Sequence, residues 1–262
     1  MKPYLMVNNR ALQTRGASLA QQVAGYGLDG LEFSLNDMRL PMGEFYWPRF
    51  VESLADVGVL AFHLPFLDVE VASSDPMIAR TGVAVLKSYM KRLAPLKPAY
   101  LNMHVATDAD LGEAHVPSAI ANIRELNLYA RELGHILCVE NVRRGVTSNP
   151  RIFRDIVAES GANATIDVGH ARGSAFLAAE GGDPLAFFDG IEDRLVTAHI
   201  YAIEDAKGHQ PIVETDGVDP FLQKFRANGV QYWLLEHHSE EAFRTTLPNV
   251  RAWLQNTIQP VE

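Results

Sequence analysis

Short apolar runs rich in β-branched and aromatic residues alternate along this chain with longer amphipathic stretches. We predict the apolar runs to be strands, because their length and composition are those of buried strands. They occupy residues 4–8, 30–34, 59–63, 100–104, 136–140, 164–167, 195–200 and 232–236. The stretches between them carry apolar residues at helical spacing, as Ile120, Ile123 and Leu126 do. Strands that alternate with helices form a parallel sheet covered by helices.

Residues that favour helix starts support this division of the chain. Ser18 can cap the first helix with its hydroxyl. Asp75 and Pro76 supply a cap and a first-turn proline for a helix predicted to reach residue 93. A final helix is predicted over residues 239–254.

Eight strand–helix units in 262 residues average about 33 residues each, close to the size of one βα repeat with its loops. Eight units favour closure into a (β/α)8 TIM barrel, and no linker, low-complexity tract or charge block divides the chain. We therefore predict a single domain over residues 1–262. The alternative is an open doubly wound sheet. Against it, no G-x-G-x-x-G follows the first strand, as a dinucleotide-binding fold would require.

The composition is typical of a cytoplasmic globular protein, with 47% hydrophobic and 21% charged residues. No apolar run approaches the roughly 18 residues of a membrane-spanning helix, and the first residues lack the apolar core of a signal peptide. The single cysteine, Cys138, excludes an intrachain disulfide and fits a reducing compartment. A net charge of -9 disfavours broad electrostatic binding to nucleic acid, and we expect no membrane partner.

Six successive predicted strands deliver an ionisable side chain at their carboxyl ends. These residues are separated by 27 to 41 positions and are His63, His104, Glu140, Asp167, His199 and Glu236. In a barrel, the carboxyl ends of the strands form the rim that holds the active site. Three carboxylates and three imidazoles at one rim would be costly to desolvate without a cation among them. Their oxygen and nitrogen atoms suit Mn, Zn, Co or Fe as ligands, and Mg less well.

The chain resembles the xylose isomerase-like TIM barrels. This superfamily holds sugar phosphate isomerases and epimerases together with the endonuclease IV branch (AP-endonuclease family 2). The resemblance covers nearly the whole chain. The segments that carry it are residues 62–68, 139–141, 166–170, 199–212 and 235–236.

In the isomerase and epimerase members, one divalent metal is held by residues that match Glu140, Asp167, His199 and Glu236. The resemblance therefore implies a metal-dependent isomerase or epimerase of carbohydrate metabolism, acting on a small sugar, sugar phosphate or hydroxy-carbonyl compound. The metal would stabilise an enediolate, while Glu140 and Glu236 remove and return the proton on carbon.

The endonuclease branch implies a second function, because its members use three zinc ions. Beyond the four ligands above, it recruits positions that match His63, His104, His170 and His209. Its aspartate two residues before the last histidine is Lys207 here, and a protonated lysine cannot be a ligand. We therefore expect the third zinc site to be lost. A second metal at His63 and His104 remains a possibility. The alternatives are a zinc-dependent hydrolase of DNA or another phosphate ester, and a non-catalytic metal-containing binding protein.

Other residues of the rim loops are expected to bind a small-molecule substrate. By resemblance, His170 and His209 would hydrogen-bond substrate oxygens, and cationic side chains in these loops could hold a phosphate or carboxylate. Glu32, at the end of the second predicted strand, is also a candidate. The remaining candidates are Lys207, Arg172, Arg143 and Arg144. A homo-oligomer is compatible with the sequence.

Overall fold

Eight parallel strands form the centre of the computed structural model, which describes residues 2–12, 16–36, 47–105, 115–215 and 217–258. The strands are β1 (Tyr4–Asn8), β2 (Gly30–Ser34), β3 (Val59–His63), β4 (Leu101–Met103), β5 (Leu137–Glu140), β6 (Asn163–Asp167), β7 (Leu195–Ile200) and β10 (Tyr232–Leu235). They close into a barrel in the order β1-β10-β7-β6-β5-β4-β3-β2. The predicted (β/α)8 TIM barrel is confirmed.

Helices connect these strands. They are α1 (Leu19–Gly25), α2 (Trp47–Leu54), α3 (Pro76–Leu93), α4 (Val116–Glu132), α5 (Pro150–Ser160), α6 (Val168–Arg172), α7 (Ala175–Glu180), α8 (Asp219–Ala227) and α9 (Glu240–Ile258). The predicted caps are present, since Ser18 accepts from the Gln21 amide at 3.1 Å and Asp75 accepts from the Met77 amide at 2.8 Å. None of the helices in the described part of the chain is long and apolar enough to span a membrane.

Four predicted strands and the last helix differ from the structure only at their ends. For example, β4 ends at Met103 and β10 ends at Leu235, so His104 and Glu236 directly follow their strands. The last helix begins at Glu240 and continues to Ile258. A short antiparallel hairpin was not predicted. It consists of β8 (Glu204–Asp205) and β9 (Gly208–His209) and lies on the rim after β7.

Two apolar layers hold the barrel together. The larger one lies between the sheet and the surrounding helices and includes Phe62, Phe153 and Trp233. The smaller one fills the barrel interior and includes Tyr100 and Cys138, both fully buried. Because this interior plug occupies the lower part of the barrel, the polar side chains at the strand ends lie above it, at the rim.

Candidate metal centre

The ends of β5, β6, β7 and β10 bring four predicted ligands together. Each of these residues offers one ligand atom, and the four atoms lie within 4.8 Å of one another. We call them the central group: Glu140, Asp167, His199 and Glu236. Parallel pairing explains the convergence, because Asp167 lies directly beside His199 in the register of β6 and β7.

His199 lies at the centre of this group. Its Nδ1 atom is 3.1 Å from Glu236 Oε2, 3.5 Å from Glu140 Oε2 and 3.9 Å from Asp167 Oδ2. His199 Nδ1 and Asp167 Oδ2 are buried, and neither has a hydrogen-bond partner. Buried polar atoms are nearly always satisfied, so two such atoms facing each other fit a cation ligated by both.

The electrostatics of the central group agree with this interpretation. Burial raises the pKa of Asp167 to about 8, and the charges of Glu140 and Glu236 act in the same direction. Burial also raises the pKa of Glu140, but the charges of His199 and His104 outweigh it and hold that pKa well below its ordinary value. The raised pKa of Asp167 shows that a further carboxylate charge is unfavourable beside Glu140 and Glu236, and a bound divalent cation would relieve this repulsion.

Glu32, a candidate for substrate binding from the sequence, lies buried beside His199. It is 1% exposed and does not line the rim cavity described below. Its Oε2 atom lies 3.3 Å from His199 Nε2 and can accept the proton of that nitrogen. When the ring is neutral with its proton on Nε2, the unprotonated Nδ1 of His199 is directed at the carboxylates. Ligating histidines commonly have such a carboxylate partner.

His63 and His104, the pair expected from the sequence to hold a possible second metal, also lie beside Glu140. Their Nε2 atoms lie 3.3 Å and 3.4 Å from Glu140 Oε2. The Nδ1 atom of His63 donates to the Leu64 carbonyl at 2.9 Å, which directs Nε2 towards Glu140. Phe66 stacks on the His104 ring, with the ring centroids 4.1 Å apart. Glu140 could therefore bridge two cations.

A third group of ligand atoms is present, although Lys207 stands at the position of the aspartate of the endonuclease branch and the third zinc site was expected to be lost. Glu204 supplies the carboxylate, and its ligand atom lies within 4.8 Å of those of His170 and His209. The hairpin brings Glu204 there, because this residue pairs directly with His209 across β8 and β9. His170 and His209 donate from Nδ1 to the carbonyls of Asn141 and Glu236, at 3.0 Å and 3.1 Å, so that each Nε2 faces Glu204.

Sequence reasoning missed Glu204 because it followed the spacing of the resembling branch to Lys207. Lys207 lies at the exposed turn of the hairpin. The neighbouring Gly208, at a φ of 91°, was the available signal of a tight turn, and a hairpin register would have placed Glu204 opposite His209.

A cavity of about 230 Å³ opens above the three groups. His63, His104, Glu140, His170, Glu204, His209 and Glu236 contribute to its wall. Arg143 and Arg144 line it as well, whereas Lys207 and Arg172 do not. Arg172 instead donates to the Ala202 carbonyl. Arg10 and His238 also line the cavity, and neither was assigned a role from the sequence.

Comparisons with known proteins agree with the geometry. The sequence pattern that defines the xylose isomerase-like TIM barrels matches residues 20–257. An uncharacterised protein of Methanocaldococcus jannaschii is 26% identical over 204 residues, which is 78% of this chain and 83% of that protein.

Two solved structures share the fold over almost their full length. A D-tagatose 3-epimerase-like protein superimposes with a TM-score of 0.77 at 16% identity, covering 98% of each chain. Endonuclease IV from Thermus thermophilus superimposes with a TM-score of 0.67 at 17% identity, covering 97% of this chain and all of that chain. These similarities concern architecture, which epimerases and nucleases have in common.

Proposed function

The chain belongs to the family of xylose isomerase-like TIM barrels, and we propose on that premise that it is a divalent-metal-dependent isomerase or epimerase. The substrate would be a small hydroxy-carbonyl compound such as a sugar or sugar phosphate. The observation that carries this proposal is the central group, in which four ligand atoms from four strands lie within 4.8 Å of one another.

Glu140, Asp167, His199 and Glu236 would hold the cation. When bound there, a divalent cation such as Mn, Zn, Co or Mg supplies Lewis acidity towards the carbonyl and the adjacent hydroxyl of a substrate. The unpartnered buried atoms of Asp167 and His199 support this placement, because a cation would satisfy both of them.

Glu140 and Glu236 would move the proton. Both belong to the central group and line the cavity, so a substrate in the cavity would be within reach of both carboxylates. One carboxylate can take a proton from carbon while the other returns it, which is the requirement for inversion at that carbon. Both have a depressed pKa, because neighbouring histidines outweigh the effect of burial, and both are therefore ionised at neutral pH.

His170 and His209 would orient the substrate. Each holds its Nδ1 proton against a backbone carbonyl and presents Nε2 to the cavity. Burial lowers the pKa of His209 to about 4, so its ring is neutral at pH 7 and can accept a hydrogen bond from a substrate hydroxyl.

Exchange of substrate hydrogen with solvent tests this function. The manganese-loaded protein should introduce deuterium from D2O at the carbon next to the carbonyl in at least one of a panel of small ketoses and ketose phosphates. Glu236→Gln should lower the exchange rate by at least about 100-fold, since it removes a general base. Glu52→Gln, an exposed change on α2, is the matched control. The absence of exchange across the panel, with metal content verified, would contradict the proposal.

A second candidate is a zinc-dependent phosphodiesterase, and the third ligand group is the observation that favours it. His170, Glu204 and His209 extend the central group and the His63–His104 pair, so that the described residues could hold three cations side by side. Nicking of a duplex with an abasic site, lost in His104→Asn, would support this candidate over the first. The alternative of a non-catalytic binding protein predicts instead that Glu140→Gln leaves ligand affinity largely unchanged.

A further inference from the structure

Three arginines line the mouth of the cavity, on opposite sides of the barrel. We call them the arginine rim: Arg10, Arg143 and Arg144. Arg10 follows β1, and the other two follow β5. In the closed order of eight strands, β1 and β5 are four places apart, so these loops face each other across the mouth.

Arg10 is positioned by a neighbouring ring. Its Nη1 atom lies 3.1 Å from His238 Nε2 and can donate to it. The His238 ring in turn stacks on His209, with centroids 4.1 Å apart. A guanidinium has five N–H donors, and Arg10 contacts the His238 ring while it lines the cavity.

Arg143 and Arg144 are fixed on the opposite side. The Arg143 carbonyl accepts from the Ala175 amide at 2.9 Å, which ties the loop to α7. Arg143 Nε lies 3.5 Å from Glu204 Oε2, at the edge of the third ligand group. Arg144 is exposed and lines the same cavity.

Side chains of opposite charge line the same cavity. The side chains of Glu140 and Glu236, in the central group, are 1% and 14% exposed, whereas that of Arg143 is 33% exposed and Arg144 is exposed. Cations bound at the ligand groups would neutralise the carboxylates and leave the mouth positive. A neutral sugar gains little from such a mouth, but a phosphate or carboxylate gains charge-assisted hydrogen bonds and is drawn in from solution.

We propose that the substrate carries an anionic group, a phosphate or a carboxylate, which binds at the arginine rim while the rest of the molecule reaches the ligand groups. This inference rests on the proposed function and narrows its substrate class. The arginine rim takes the anion-binding role that the sequence suggested for the side chains of Lys207 and Arg172, because neither of those side chains lines the cavity.

Calorimetric titration of the manganese-loaded protein with three inert probes tests the inference. The probes are erythritol, erythronate and erythritol 4-phosphate. None has an aldehyde or ketone, so their binding does not depend on isomerisation. At least one anionic probe should bind about tenfold or more tightly than erythritol, which corresponds to about 1.4 kcal/mol. The two anionic probes distinguish a carboxylate from a phosphate.

The test uses one double variant, Arg10→Gln with Arg144→Gln, because neither residue belongs to a ligand group. It should lose the preference for the anionic probe and keep its manganese content. Its matched control is Arg131→Gln with Arg226→Gln. These exposed arginines lie in the last turns of α4 and α8, just before β5 and β10. They therefore lie at the opposite end of the barrel from the rim.

Two results would overturn the inference. The first is equal binding of all three probes by the wild-type protein. The second is an anion preference that survives in the Arg10 and Arg144 variant, because the anion would then bind the metal and not the rim. Neither result bears on deuterium exchange into ketoses, so the proposed function is tested separately.

Discussion

Glu32 lies 3.3 Å from the Nε2 atom of His199 and fixes which nitrogen of that ring faces the central group. Glu32→Gln replaces a charged acceptor by an amide, which holds the imidazole proton less strongly. Loss of such an outer partner typically weakens metal binding by about 10- to 100-fold. We expect a decrease of this size in manganese affinity, measured by calorimetric titration, with Glu52→Gln as the exposed control. An unchanged affinity would show that Glu32 does not position His199.

Metal binding should stabilise the fold, because the central group is assembled only in the folded chain. At a free cation concentration of 100 times Kd, the free energy of unfolding should rise by about 2.7 kcal/mol. Thermal denaturation with increasing manganese should therefore show a rising Tm, and a chelator should reverse it. In Asp167→Asn, which alters a ligand of the central group, the rise should be largely lost. A Tm that does not respond to any divalent cation in the wild-type protein would contradict the metal assignment.

The number of tightly held cations separates the two proposed functions. For the isomerase or epimerase, we expect one cation per chain after dialysis, measured by elemental analysis. This cation should remain in Glu204→Gln, since Glu204 belongs to the third group, and disappear in Asp167→Asn. Glu214→Gln, an exposed change outside the cavity wall, is the control. Two or three cations in the wild-type protein, one of them lost in Glu204→Gln, would favour the phosphodiesterase.

Gly169 permits a close approach that any side chain would block. A Cβ atom at this position would lie 1.9 Å from the Tyr201 ring. That ring stacks on His209 with centroids 3.8 Å apart. We therefore expect Gly169→Ala to destabilise the protein by about 1 to 3 kcal/mol, as overpacking does, measured by urea unfolding. Gly25→Ala, in α1 and without a positive φ, where nothing lies within 4 Å of the added Cβ atom, controls for the general cost of replacing a helical glycine.

His135 should make stability depend on pH, away from the rim. It is buried and can donate from Nε2 to the Met90 carbonyl at 3.2 Å. Burial lowers its pKa, so below the unfolded pKa of about 6.5 the unfolded chain binds more protons than the folded chain. The stabilisation is therefore complete above that pH and is lost as the pH falls. The difference in unfolding free energy between wild type and His135→Asn should shrink from pH 7 to pH 5, and a constant difference would contradict this.

The architecture and the central group could be predicted from the sequence because both follow from short-range regularities. Strand period and repeat length define the barrel, and the last residues of its parallel strands must lie at the rim. Glu140, Asp167 and His199 needed no further information to be brought together. The same holds for His63 and His104, which end or directly follow neighbouring strands.

The remaining features depend on side-chain directions that strand ends do not determine. Glu32 is the middle residue of β2, two positions before its end, and its carboxylate contacts His199 and does not line the cavity. Glu204 and Lys207 are three residues apart in one loop, and only the hairpin register decides which of them meets His209. Arg172 was expected at the substrate, whereas its guanidinium satisfies a backbone carbonyl. Side-chain direction decided the positions of Glu32 and Arg172, and the hairpin register decided that of Glu204.

Glu236 belongs to two parts of the site at once. Its side chain is in the central group, and its backbone carbonyl receives the Nδ1 proton of His209 from the third group. One residue therefore positions a carboxylate of the central group and, through its carbonyl, the tautomer of an imidazole of the third group. Any shift of the chain after β10 would disturb both groups together.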